Sequence, residues 1–266
     1  MNRRTFNRTL VYAALAGVAG RNALAEVRSE PSPSSPVPSN QKPLTVAMLM
    51  YPELTALDLI GPQTVLSNHA KIHLVWKSHD VIFSDRGIGL TPNSTFEECP
   101  RDLDVLFVPG GPGMLSVMRD RKVLDFLADR GERARYVTSV CTGALILGMA
   151  GLLEGYKATS HWLSLDVLPR FGALPVKQRV VVDRNRMTGG GVTAGLDFGF
   201  ALLAALRGET AAKVTQLAME YDPKPPFDAG SPETAGPEIT ALAKATLGPL
   251  QQQTRAAIEE ILATRK

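Results

Sequence analysis

The 266-residue chain has only two cysteines, Cys99 and Cys141, too few for a disulfide scaffold. Its four histidines (His69, His73, His79 and His161) have no close cysteine partners, so the spacing of a structural zinc site is missing. No apolar run reaches the ~20 residues that a bilayer-spanning helix needs. Aromatics make up only 6% of the residues, yet 44% are hydrophobic and 21% charged. That balance excludes a mainly disordered chain and predicts a soluble globular protein with a sizeable core.

Acidic residues are absent before Glu26, where Arg3, Arg4, Arg8 and Arg21 stand alone. The formal charge of +3 therefore belongs to the start of the chain. Without those four arginines, 25 basic residues face 26 acidic ones. A near-neutral domain has no electrostatic case for nucleic acid, where phosphate contacts dominate affinity.

Residues 1–25 combine a basic start, the apolar run T-L-V-Y-A-A-L-A-G-V-A-G and an A-x-A site at Ala23–Ala25. These are the three parts of an export signal. Arg3-Arg4 followed by Phe6 resembles a twin-arginine signal, although Asn7 and Arg8 replace the usual Leu and Lys. An ordinary secretory signal or a retained anchor is the alternative. The expectation is export to the periplasm, without stable membrane association after cleavage. Residues 26–43, rich in Pro and Ser, read as an extended tether.

From Leu44 the pattern is that of an α/β domain. L-T-V-A-M-L-M reads as a strand buried on both faces, and Leu57 to His69 as a helix with Pro62 in its first turn. Ile72–Trp76, Val105–Val108 and Arg135–Val140 read as strands, with a hairpin turning at Asp85-Arg86-Gly87. Helices are expected at Leu115–Arg130, Thr142–Ala150, His161–Leu168 and Thr193–Leu206, and strand near Val180–Asp183 and Met187–Thr188. This alternation predicts a doubly wound, mostly parallel sheet with helices on both faces. A loop after Tyr221 leads to a helical stretch from about Pro237 to Thr264. The domain is expected over residues 44–235, with a helical extension over 236–266.

In such a sheet, chemistry collects at the carboxyl ends of the strands. Cys141, in S-V-C-T-G-A, falls between a strand and a helix, the layout of a nucleophile elbow. A thiol at a helix N-terminus feels the positive end of the dipole, which favours the thiolate. A buried structural cysteine is the alternative, and Gly143 just after the turn favours the reactive reading. The loop V-P-G-G-P-G-M offers the N–H groups of Gly110 and Gly111 to a developing negative charge. Asp58 is either a helix cap or a general acid. His161 is either a base or a core and interface residue, the latter favoured. A Cys99–Cys141 disulfide is not expected, because one cysteine precedes its strand and the other follows one.

L-D-L-I-G-P, V-P-G-G-P-G and S-V-C-T-G-A, in this order, resemble the PfpI-like superfamily, related to class I glutamine amidotransferase domains, with a flavodoxin-like fold. The later segments T-G-G-G-V-T-A-G-L-D-F and E-Y-D-P-K-P-P-F-D-A-G-S-P-E-T-A resemble the isonitrile hydratases in particular. The resemblance implies a homodimer acting on a small molecule without a cofactor or metal. It makes Cys141 the nucleophile, Asp58 the proton donor and Thr142 a neighbour of the reacting centre. Gly110 and Gly111 would line the pocket, and Gly190, Gly191 and Val192 would pack beside the nucleophile. The implied reaction adds water to an isonitrile through a Cys141 thioimidate, giving an N-substituted formamide. Another cysteine enzyme of the superfamily, of glyoxalase or amidase type, is the second reading. A non-catalytic redox sensor using Cys141 is the third. A transcription regulator is not expected, since its relatives of that kind continue into a helix-turn-helix domain.

Overall fold

The computed structural model describes residues 42–264. The expected leader, and all but the last two residues of the expected tether, lie outside the described residues. The elements, in chain order, are β1 (Leu44–Leu49), α1 (Ala56–Leu66), β2 (Ala70–Trp76), β3 (Ile82–Phe83), β4 (Gly89–Leu90), β5 (Ser94–Thr95) and β6 (Val105–Val108). Next come α2 (Met114–Arg119), α3 (Arg121–Arg133), β7 (Tyr136–Val140), α4 (Gly143–Met149) and β8 (Lys157–Ala158). A 3-10 turn at Leu165–Phe171 leads to β9 (Leu174–Pro175), β10 (Val180–Asp183), β11 (Arg186–Gly189), α5 (Ala194–Arg207), α6 (Glu209–Ala218) and α7 (Pro232–Thr264).

Seven strands form one sheet in the order β10-β11-β7-β6-β1-β2-β5. All neighbours are parallel except the β10–β11 hairpin. The apolar runs explain the centre. β6 is buried throughout, and β1 is buried except at Thr45, as strands covered on both faces must be. From β1 the chain steps to β2 on one side, whereas from β6 it steps to β7 on the other. Right-handed crossovers therefore place α1 on one face and α2 and α3 on the opposite face. The doubly wound, flavodoxin-like sheet is present as expected, and α7 forms the C-terminal helical extension. The reversal between β1 and β6 opens a crevice at their carboxyl ends, where ligands bind in this architecture.

The core is continuous through the sheet, with Phe107 of β6 facing Phe198 of α5 at 5.6 Å between ring centres. Burying each such side chain contributes ~1.5–3 kcal/mol. Among the described residues, no helix is long and apolar enough to cross a membrane.

Several expected boundaries move. α1 starts at Ala56, so Pro62 lies in its second turn and leaves the Asp58 carbonyl without its usual amide donor. The helix expected over Leu115–Arg130 is two helices. Asp120 takes extended backbone (φ −91°, ψ 101°) and its carboxylate accepts from the Val123 N–H, capping α3. The helix expected from His161 is the later 3-10 turn, which contains Pro169. α6 was not anticipated, and α7 begins at Pro232 with a kink at Gly236 (φ 78°).

Candidate active site

Three loops at the carboxyl ends of β1, β6 and β7 meet in the crevice. β7 ends at Val140, and Cys141 turns the chain into α4 with φ 58°, a conformation that costs a non-glycine residue ~1–2 kcal/mol. Its backbone is fixed on both sides. The Cys141 N–H donates to the Gly190 carbonyl (2.7 Å) and the Gly189 carbonyl (3.1 Å), and the Ser160 hydroxyl donates to the Cys141 carbonyl (2.9 Å). Such bonds, each contributing about 0.5–1.5 kcal/mol, offset the strain. This is the strand-to-helix elbow expected from the sequence. A Cβ on Gly143 would collide with the Val108 carbonyl, so the turn needs glycine there.

Asp58 reaches the same point from α1. It lies in the first turn, but Thr55 occupies the capping position, so Asp58 is not the cap. Its Oδ2 accepts from the Gly110 N–H at 2.9 Å. Its Oδ1 is buried without a conventional hydrogen-bond partner, and Cys141 lies close enough to act on the carboxyl's titration. Thr142 completes the contact, its hydroxyl accepting from the Gly111 N–H at 3.0 Å. A Cβ on Gly110 would stand 2.6 Å from the Thr142 nitrogen and 2.8 Å from the Cys141 Cβ, which excludes any larger residue.

The Gly110 and Gly111 amides are thus engaged with Asp58 and Thr142. They do not point freely at a reacting atom, as the sequence reading had them. The loop positions the acid and the threonine instead. Gly190 lies behind the nucleophile, with its carbonyl on the Cys141 N–H, while Val192 is half-buried against the core. His161 packs over Gly191, and its Nδ1 accepts from the Leu163 N–H at 3.4 Å. Burial lowers its pKa, favouring the neutral ring. Cys99 and Cys141 are both free thiols.

The surroundings of the pair bear on another expectation. Burial pushes the Asp58 carboxyl up to about 7, against the Gly110 N–H and Cys141, with Asp85 adding to the rise. Burial also pushes the Cys141 thiol well above its ordinary range, and the negative charge of Asp58 adds to it. The N–H and hydroxyl of Thr142 pull the other way and do not win. The sequence reading had the α4 terminus favouring a thiolate. Cys141 is only 6% exposed, and its burial and the facing carboxylate both act against the thiolate. Burial therefore disfavours the charged form of both groups.

Sequence reasoning passed over two residues. Tyr51, fully buried just after β1, donates its hydroxyl to the Pro109 carbonyl at 2.9 Å and braces the Gly110 loop. Asp85, from the β3–β4 hairpin, accepts from the Thr55 hydroxyl at 3.3 Å beside the start of α1. The burial of Tyr51 and its electrostatic coupling to Asp58, Cys141 and Asp85 mark one acidic cluster.

Residues 44–205, from the first strand into α5, match the DJ-1/PfpI family, and the chain belongs to it. The isonitrile hydratase of Pseudomonas putida is 49% identical over 208 residues, which cover 77% of this chain and 91% of that one. A crystal structure of a THiJ/PfpI family protein from Pseudomonas syringae superposes with a TM-score of 0.80 at 47% identity, covering 88% of this chain and 98% of that one. The deglycase PfpI of Pyrococcus furiosus is more distant, 27% identical over 144 residues, or 53% of this chain and 87% of its own.

Proposed function

We propose that the chain is an isonitrile hydratase, using Cys141 as nucleophile and Asp58 as the proton carrier. The observation that carries this reading is the buried Cys141–Asp58 pair on a chain 49% identical to such an enzyme. In R–N≡C the terminal carbon accepts both a nucleophile and a proton. Asp58 takes the thiol proton as the sulfur bonds to that carbon, and returns it to the same carbon, giving the thioimidate R–N=CH–S–Cys141. Water then adds to the thioimidate carbon, with Asp58 accepting a proton from it while the nitrogen is protonated. Collapse of R–NH–CH(OH)–S–Cys141 breaks the C–S bond, forms the formamide carbonyl and restores the thiol. One isonitrile and one water are consumed per formamide formed.

Thr142 and the Gly110 loop hold the acid and the sulfur in register through this sequence, and the Gly190 carbonyl holds the backbone of the nucleophile. A redox sensor needs an exposed thiol of low pKa, whereas Cys141 is buried and its pKa is raised. Mixing the purified chain with p-nitrophenyl isocyanide and following the N-formamide tests the proposal. Multiple turnovers support it, and none by an intact, reduced protein rejects it.

We further propose that residues 1–25 direct export by the twin-arginine route, that residues 26–43 tether a catalytic domain over 44–235, and that the domain works as a homodimer in the periplasm. The arginine pair and apolar run support export, and the family resemblance supports the dimer.

A further inference from the structure

The β3–β4 hairpin does more than close an edge. It is laced onto the β1–α1 loop by the Glu53 N–H on the Phe83 carbonyl (2.9 Å) and the Asp85 N–H on the Leu54 carbonyl (3.0 Å). These bonds carry the half-buried Asp85 carboxylate to the start of the helix that bears Asp58. Oδ2 of Asp85 takes the Thr55 hydroxyl, and its Oδ1 is buried without a partner. Thr55 in turn accepts the Asp58 N–H at its carbonyl (3.0 Å) and donates its own N–H to the Gly110 carbonyl (2.9 Å), so hairpin, helix and loop are tied together.

The groups facing Asp58 are all acids or neutral donors. Cys141 comes from the β7–α4 turn, Tyr51 from the end of β1 and Asp85 from the hairpin. The Gly110 N–H comes from the loop after β6. From α5, the helix packed against α1, the first-turn Asp197 is paired with Arg179 and accepts the Tyr221 hydroxyl. The cation beside Asp85 is Arg86, 3.9 Å away and almost fully in water, where screening weakens it. A second carboxylate thus stands by the catalytic pair with little to neutralise it.

We propose that Asp85, carried by the hairpin to the start of α1, is a positioning residue whose negative charge disfavours ionisation of the Cys141–Asp58 pair. Like charges in a partly desolvated site disfavour further ionisation, so removing one lets the pair release its protons at lower pH. The inference extends the proposed function, because it names what sets the working pH of that site. It also stands on a readout that needs no isonitrile.

The test is the rate of iodoacetamide alkylation against pH, read at the Cys141 peptide by mass spectrometry. Asp85→Asn keeps an oxygen for Thr55 and loses the charge. Its profile is expected to move to lower pH, with alkylation ~2- to 3-fold faster on the rising limb. Asp85→Ser, a second uncharged variant, is expected to shift the same way, and Asp85→Glu to restore the original profile. A profile in Asp85→Asn or Asp85→Ser that overlays that of the unaltered chain would overturn the inference. So would a uniform change in rate without a pH shift, which is what a merely structural residue produces. If alkylation shifts while isonitrile turnover is absent in every variant, the hydratase reading fails and the role of Asp85 stands.

Discussion

Replacing Asp58 by Asn separates two properties that usually move together in cysteine enzymes. The amide is nearly isosteric, and its oxygen can keep the 2.9 Å bond from the Gly110 N–H, so the loop stays in place. Burial still holds the Cys141 thiol up, but the negative charge of Asp58 that adds to it is gone. Thiolate then forms at lower pH, and alkylation of Cys141 at neutral pH is expected to rise ~10-fold for each unit by which the thiol falls. Turnover is expected to move the opposite way. Without a group to carry the proton to the isonitrile carbon, the rate falls roughly 10²–10⁴-fold, a barrier increase of about 3–5 kcal/mol. Stopped-flow alkylation and formamide release, measured on one preparation, give both numbers. Faster alkylation with undiminished turnover would refute Asp58 as the proton carrier.

The same variant has a thermodynamic signature. The folded pKa of Asp58 is raised from 3.8 to about 7. The folded state therefore binds more protons than the unfolded state between these values, and stability from this group is full below about 4 and lost as pH rises through 7. At pH 8 the fold carries a buried carboxylate at a cost on the order of a few kcal/mol, which Asn removes. The Tm of Asp58→Asn is expected to exceed that of the unaltered chain at pH 8, with the gap closing towards pH 4. A Tm difference that ignores pH would count against the raised carboxyl.

Three further expectations concern the working enzyme, the loop and the leader. Asp58 must be ionised to take the thiol proton, so kcat/KM is expected to rise with pH through about 7, and a limb near 4 would mean an ordinary carboxylate. Gly110→Ala places a methyl within 3 Å of Thr142 and Cys141, so activity is expected to fall at least 10-fold with a loss of about 1–3 kcal/mol in denaturant unfolding; full activity would show a looser site. Changing Arg3-Arg4 to Lys-Lys is expected to leave the protein in the cytoplasm on cell fractionation, and unaltered export would dismiss the twin-arginine reading.

What the sequence made legible follows from how local each signal is. The buried runs at Leu44–Leu49 and Val105–Val108 showed their strands because they are too short for a typical helix and are bounded by Pro43 and by Pro109-Gly110. Cys141 was visible because an elbow needs a strand, a small neighbour such as Gly143 and a helix in sequence. The ionisation of its thiol was not, since it depends on Asp58, Tyr51 and Asp85, which come from separate elements. The bond between Thr55 and Asp85 spans 30 positions and that between Tyr51 and Pro109 spans 58. In the sequence, Asp85 is only the polar residue of a turn. The engagement of the Gly110 and Gly111 amides was hidden for the same reason, because their acceptors lie on α1 and just after β7.

The central claim is that the Cys141 sulfur bonds to the isonitrile carbon. Acid-quenching the reaction within the first turnover and weighing the peptides measures this directly. A mass gain on the Cys141 peptide equal to that of the whole isonitrile, lost as formamide appears, is the expected result, with neither adduct nor turnover in Cys141→Ser. Sustained turnover by Cys141→Ser, or turnover that never modifies the Cys141 peptide, would contradict it.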